Sequence, residues 1–162
     1  MTDEELLTDL HFRQEYESAT GPEVIAGRKY FRIKGIPVPI EKVRELVGDK
    51  MLIGLSTHSP EQADRAVQSG IVDYIGVGPL YQTFTKKDVI PPVGIGYLDY
   101  VVSHHRIPFV AIGGIKENNV AEVIKHGATC ICLVTEIVGA PDIAAQIQAI
   151  REQISKAKST VQ

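Results

Sequence analysis

The sequence predicts an α/β fold: a partial TIM (β/α) barrel of about five parallel strands, with the N-terminal barrel strands missing. Three observations lead there. Apolar runs of strand length alternate with amphipathic helical stretches, a pattern that buries both faces of a parallel sheet under helices. Gly70 and Gly127 end helices at the same step of successive units, which marks a repeating βα module. The chain has 162 residues, whereas a closed eight-stranded barrel typically takes about 250.

Leu6, Leu7 and Leu10 give Thr2–Ala19 an apolar helical stripe, and Gly21, Pro22 and Gly27 interrupt the chain after it. Residues 1–28 thus read as an N-terminal helix and linker, and residues 29–162 as the barrel domain. A first strand is expected at Lys29–Ile33, although it carries Arg32. Pro37 and Pro39 impose an extended stretch, and Ile40–Val47 reads as a helix closed by Gly48. Met51–Ser56 is an apolar strand. Ser59 is a natural N-cap with Pro60 at the first helical position, and the helix runs through Ala63, Ala66 and Val67 to Gly70. Asp73–Gly78 is the next strand, followed by a long polar loop through Pro92. A short helix at Leu98–His104 leads to a strand at Ile107–Gly114 and a helix with Val120, Val123 and Ile124 inward. The run ATCICLV, Ala128–Val134, is the last strand, and Pro141–Ala157 a final helix with apolar Ile143, Ile147, Ile150 and Ile154.

Composition removes several function classes. Hydrophobic residues make up 44% and charged residues 23%, as in folded rather than disordered chains. A net charge of -3 lacks the basic surplus that nucleic acid or an anionic membrane selects. No run approaches the roughly 18 apolar residues of a membrane helix. The acidic start MTDEELLTDL has none of the features of a secretory signal, so a cytoplasmic address is expected. Cys130 and Cys132 share one strand face, cannot readily form an unstrained disulfide, and are expected to be buried reduced thiols. No residue set is spaced as a metal site or as a nucleophile–histidine–acid triad.

Parallel β/α folds bind ligands at the C-terminal ends of their strands. That rule selects loops at Ser56–Ser59, Gly78–Asp88, Gly113–Ile115 and Val134–Glu136. Gly113 and Gly114 leave backbone amides bare ahead of a helix, which suits an anion, although the same pair also fits a tight turn that holds nothing. Val134 and Thr135 could add donors to the same phosphate. In GPLYQTFTKKD, Thr83 and Thr85 followed by Lys86 and Lys87 can hydrogen-bond and neutralise a diphosphate; the alternative is a solvated surface pair. Ser56 and Thr57 lie at a strand end and could donate to the same anion. His58, at a strand end, could touch a ligand but more ordinarily serves loop hydrogen bonding; His104 and His105 face solvent, and His126 sits at a helix C-terminus.

The motifs IGLSTHSPEQADRA, DYIGVGPLYQTFTKKD, IPFVAIGGI followed by Asn118–Asn119, and the end at Val134–Thr135 resemble the thiamine-phosphate synthase family, which includes the thiazole tautomerase TenI. The similar stretch runs from about Ile40 to Ile150. The resemblance implies coupling of a hydroxymethylpyrimidine diphosphate to a thiazole phosphate, with Mg²⁺ and release of pyrophosphate. It places Ser56 and Lys87 or Lys86 at the diphosphate as the catalytic set. It places Thr83, Thr85, Gly114 and the amides around Val134 and Thr135 at the thiazole phosphate. Catalysis of that kind rests on charge stabilisation and positioning around a carbocation-like state. The tautomerase subgroup carries a histidine where this chain has Pro79, which favours the synthase-like subgroup.

Departures from the family pattern cut the other way. The family's Gln-x-Arg-x-Lys clamp and Asn-Asp pair are absent, and Pro37 stands where the family has an aspartate ahead of Ile40–Val47. Both expected magnesium carboxylates are therefore missing. Three readings stay open: a phosphate binder without turnover, a chain completed by another copy or a separate polypeptide, or a site rebuilt from Arg28, Lys29, Arg32 and Lys34. Those four charges equally fit the cover of an exposed sheet edge. An incomplete barrel leaves open edges, so homo-oligomerisation or a complementing polypeptide is expected.

Overall fold

The computed structural model describes residues 23–25, 28–30, 40–49, 51–85 and 90–160. The helix expected at Thr2–Ala19 and both lysines of the polar loop, Lys86 and Lys87, lie outside them. The chain divides into two compact units, Met1–Ile53 and Gly54–Gln162.

In the first unit, strands β1 (Glu23–Ile25) and β2 (Arg28–Tyr30) pair antiparallel, with Val24 opposite Lys29. This corrects the parallel strand expected at Lys29–Ile33. Only two residues separate β1 from β2, enough for a hairpin and far too few for the crossover that parallel strands need. Helix α1 (Ile40–Val47) ends as expected at Gly48, whose φ of 63° glycine adopts without penalty. The Arg44 guanidinium secures the exit by donating to the carbonyls of Gly48 and Met51, each at 2.9 Å.

The second unit is a βα succession around one parallel sheet. Strands β3 (Gly54–Thr57), β4 (Tyr74–Val77), β5 (Phe109–Ile112) and β6 (Ile131–Cys132) lie side by side in chain order, all parallel. Register aligns Thr57 with Val77 and Val77 with Ala111, and all three side chains are fully buried, together with Ile75. The alternate residues Ser56, Gly76, Ile112 and Cys132 occupy the other face.

Helix α2 (Pro60–Gln68) starts as its sequence dictates, with the Ser59 hydroxyl accepting from the Gln62 amide and Pro60 in the first turn. It buries Ala63 and Ala66, while α3 (Ile95–His104) buries Tyr97, Leu98 and Val101. Helix α4 (Val120–Lys125) buries Val120, Val123 and Ile124, as the pattern predicts, and packs against α6 (Ile143–Ser159). A four-residue helix, α5 (Thr135–Val138), follows β6 where no element is expected from the sequence. Along α6, Ile150 and Ala157 are buried but Ile143 and Ile147 are exposed, so the apolar stripe is covered only in its later turns. Among the described residues no helix is long and apolar enough to cross a membrane.

Long-range polar contacts hold α3 in place and revise the histidine expectations. The Tyr100 hydroxyl donates to Asp64 on α2 at 2.9 Å. The side chain of His105, only 10% exposed, brings Nε2 to 3.0 Å from the same carboxylate without hydrogen-bond geometry. On the opposite flank, His126 Nδ1 lies 2.6 Å from Asp99 Oδ1. His104 is exposed as expected, stacked on Tyr100, but His105 is turned inward because its helix packs on α2. Cys130 is exposed and Cys132 half-buried, against the expectation of two buried thiols. Both fall on the sheet face opposite the helices, which the four described strands leave open.

Candidate functional site

At the C-terminal ends of the parallel strands lies a cleft of about 550 Å³. Ser56, Thr83, Thr85, Gly113, Gly114, Val134 and Thr135 all line it, so four separate loops converge there. Of the other residues expected at a site, Lys86, Lys87, Arg32 and Lys34 lie outside the described residues, as do the side chains of Arg28 and Lys29.

Steric fit builds the cleft from the glycine turn outward. Gly113 and Gly114 have φ of 94° and 65°, in the left-handed region that favours glycine. A Cβ on Gly113 would sit 2.4 Å from Pro79 Cα, and one on Gly114 would sit 2.6 Å from the Gln82 carbonyl oxygen. Glycine here is required by the neighbouring loop as well as by the turn. That loop is tied to the end of β5 by two backbone bonds, Leu80 N–H to the Ile112 carbonyl and Tyr81 N–H to the Gly113 carbonyl, each 3.0 Å. The Val93 amide returns to the Pro79 carbonyl at 2.8 Å and closes the loop's far end. Asn119 fixes the turn from the helix side: its amide group donates to the Gly114 carbonyl at 3.0 Å and its oxygen accepts from the Lys116 amide at 2.7 Å. The amides of Gly114 and Ile115 have no acceptor among the described residues.

Three hydroxyls form a continuous polar wall. Thr83 Oγ1 and Thr85 Oγ1 are 3.1 Å apart, and Thr85 Oγ1 reaches Thr135 Oγ1 at 3.3 Å across the gap between two loops. Thr83 Oγ1 also accepts from the Thr85 amide at 3.4 Å, and hydroxyls in an exposed cleft can turn their hydrogens to an incoming acceptor. Tyr81 anchors the base of this loop on α4, its phenol donating to Glu122 Oε2 at 2.6 Å. Burial, and then the Glu122 carboxylate, push that phenol well above the usual tyrosine range.

One expectation changes. Thr57 does not face the cleft: it is fully buried, donates to the Gly76 carbonyl at 2.8 Å and accepts from the Tyr97 phenol at 2.6 Å. Strand alternation sends Ser56 to the cleft and Thr57 to the helices. His58 lines the cleft, and its ring Nδ1 donates to the Gly78 carbonyl, so loop support is its contact here. Since a carbonyl only accepts, Nδ1 carries the proton.

Sequence reading missed Lys116, Phe84, Ile90, Ile112 and Cys132, all of which line the cleft. Lys116 is the sole Lys, Arg, Asp or Glu among the described lining residues; its place three residues after Gly113 was the available signal. Magnesium takes hard oxygen ligands, usually including carboxylates. The described lining contains no Asp or Glu, and no cluster of three His, Cys, Asp or Glu is placed for a metal among the described residues. The residues in view therefore do not fit a magnesium ion.

Comparison with known proteins places this geometry. The family model described as thiamine monophosphate synthase matches residues 31–137. A thiamine-phosphate synthase of Lawsonia intracellularis is 62% identical over 117 residues, covering 72% of this chain and 54% of the relative. One from Pelotomaculum thermopropionicum is 64% identical over 119 residues, covering 74% and 54%. The chain thus spans about half the length of the curated relatives it matches. Among solved structures, a thiamine phosphate pyrophosphorylase from Pyrococcus furiosus superposes with a TM-score of 0.64 at 32% identity, over 74% of this chain and 56% of that one. Matched along most of its βα succession, the chain belongs to the thiamine monophosphate synthase family.

Proposed function

We propose that the cleft holds the phosphate of a small phosphorylated molecule, and that the chain serves thiamine biosynthesis as a thiamine-phosphate synthase-like protein. The observation that carries this is the Thr83–Thr85–Thr135 hydroxyl wall, which shares the cleft with Gly114 and Ile115, whose amides have no acceptor among the described residues. A phosphate oxygen set between them meets donors on two sides, and Lys116 adds positive charge at the rim. In this reading thiazole phosphate is the ligand of that wall. Ser56, Lys86 and Lys87 take the diphosphate of the pyrimidine partner and stabilise charge as pyrophosphate leaves. The action is cytoplasmic, and a second copy or a separate polypeptide completes the assembly.

The absence of a carboxylate among the described lining residues favours a second reading, a phosphate binder without turnover or one component of a complex. A turnover assay with thiazole phosphate, hydroxymethylpyrimidine diphosphate and Mg²⁺, scored for thiamine phosphate, separates the two. Product that disappears in the Lys86→Ala/Lys87→Ala double variant supports the synthase. Saturable thiazole phosphate binding with no product supports the binder. In either case Thr135→Val should weaken thiazole phosphate by about tenfold to a hundredfold, the loss of one hydrogen bond to a charged group. Unaltered affinity in that variant rejects the hydroxyl wall as the phosphate site.

A further inference from the structure

One wall of the cleft is not used by phosphate. Phe84 lines it while being 87% exposed, and Ile90, Ile112 and Val134 line it at 40%, 37% and 44% exposure. Large apolar side chains left in water at one concave place mark a binding surface, because each gives up the free energy that burial would return. Phe84 is also carried there by a fixed segment. The residues on either side of it, Thr83 and Thr85, join their hydroxyls at 3.1 Å, and Thr85 reaches Thr135 at 3.3 Å. The phenyl ring is therefore carried between two of the three hydroxyls of the polar wall.

We infer that Phe84 determines ligand specificity: its ring packs on the planar ring of a heteroaromatic phosphate monoester whose phosphate sits at the threonine wall. This rests on the phosphate reading above. A bare phosphate or an aliphatic phosphate would leave the phenyl and the three aliphatic neighbours wet. A flat uncharged ring covers them, and the described lining residues include no Asp, Glu or Arg to attract a charged body in its place.

Calorimetric titration of the unchanged chain, Phe84→Ala, Phe84→Leu and Phe84→Tyr with two probes, hydroxyethylthiazole phosphate and inorganic phosphate, tests this. Phe84→Ala should lose about fivefold or more for the thiazole phosphate and nothing for inorganic phosphate. Phe84→Tyr should keep wild-type affinity and Phe84→Leu should recover only part, which separates ring stacking from general apolar contact. Thermal melts serve as the folding control, since replacing so exposed a side chain should leave them unchanged. Equal losses for both probes, or none for either, overturn the role of Phe84 while leaving the phosphate site standing. Binding of inorganic phosphate but not thiazole phosphate by the unchanged chain does the same. Failure of the unchanged chain to bind either probe overturns the phosphate reading and this inference with it.

Discussion

Ser56 and Thr57 show how much one step along a strand decides. Both carry hydroxyls at the end of β3, yet Ser56 is exposed in the cleft and Thr57 is wholly buried between Tyr97 and the Gly76 carbonyl. Thr57→Val keeps the shape of the buried side chain and removes the acceptor of the Tyr97 phenol. The expected cost is about 1–3 kcal/mol of unfolding free energy, read from urea denaturation, because a desolvated donor is left unpaired. The direction of the two residues was readable in part. Along β4 and just past its end, glycine at 76 and 78 alternates with Ile75 and Val77, which marks the helix face, but carrying that face across to β3 needs the register of the sheet. The contacts of His105 and His126 were not readable, since their carboxylate partners, Asp64 and Asp99, come from distant parts of the chain.

Among elements, the clearest signals were those whose cause is local. Ser59 and Pro60 open α2, Gly48 and Gly127 follow helices with positive φ, and the spacing of Val120, Val123 and Ile124 gives the buried face of α4. The hairpin β1–β2 was misread as a barrel strand because a three-residue strand has no period long enough to show its partner. Helix α5 was missed for a similar reason: four residues carry no repeat. The Gly113–Gly114 turn was legible as a tight turn, but its dependence on the neighbouring loop was not. Gly114→Ala places a methyl group against the carbonyl oxygens of Tyr81 and Gln82 at a φ of 65°. A loss of about 2 kcal/mol in stability is expected from the strained backbone, with weaker thiazole phosphate binding because the threonine loop must retreat. Denaturation and titration of the same sample check both, and a variant as stable and as tight as the parent would show that the loop is not braced on the turn.

For the molecule as a whole, alkaline pH is the sensitive direction. Burial first, and then Glu122, raise the Tyr81 phenol; burial chiefly raises Tyr97; the hydrogen bond to Asp64 chiefly raises Tyr100. Unfolded phenols release their protons around the ordinary value of 10.0, while the folded ones still hold theirs. The unfolded state then binds fewer protons, so stability is intact below about pH 10 and falls as pH rises beyond it. Urea midpoints measured from about pH 8 to pH 11 should drop at the upper end, and Tyr97→Phe should flatten that drop. A parent curve that stays level throughout would sink the idea. The strand β6 region has a different consequence for work on the intact protein. Cys132 lines the cleft floor, whereas Cys130 is exposed and is not among the lining residues. The two thiols form an internal ratio meter: a bound molecule should slow alkylation of Cys132 relative to Cys130, so mass spectrometry can read occupancy without a label on the ligand.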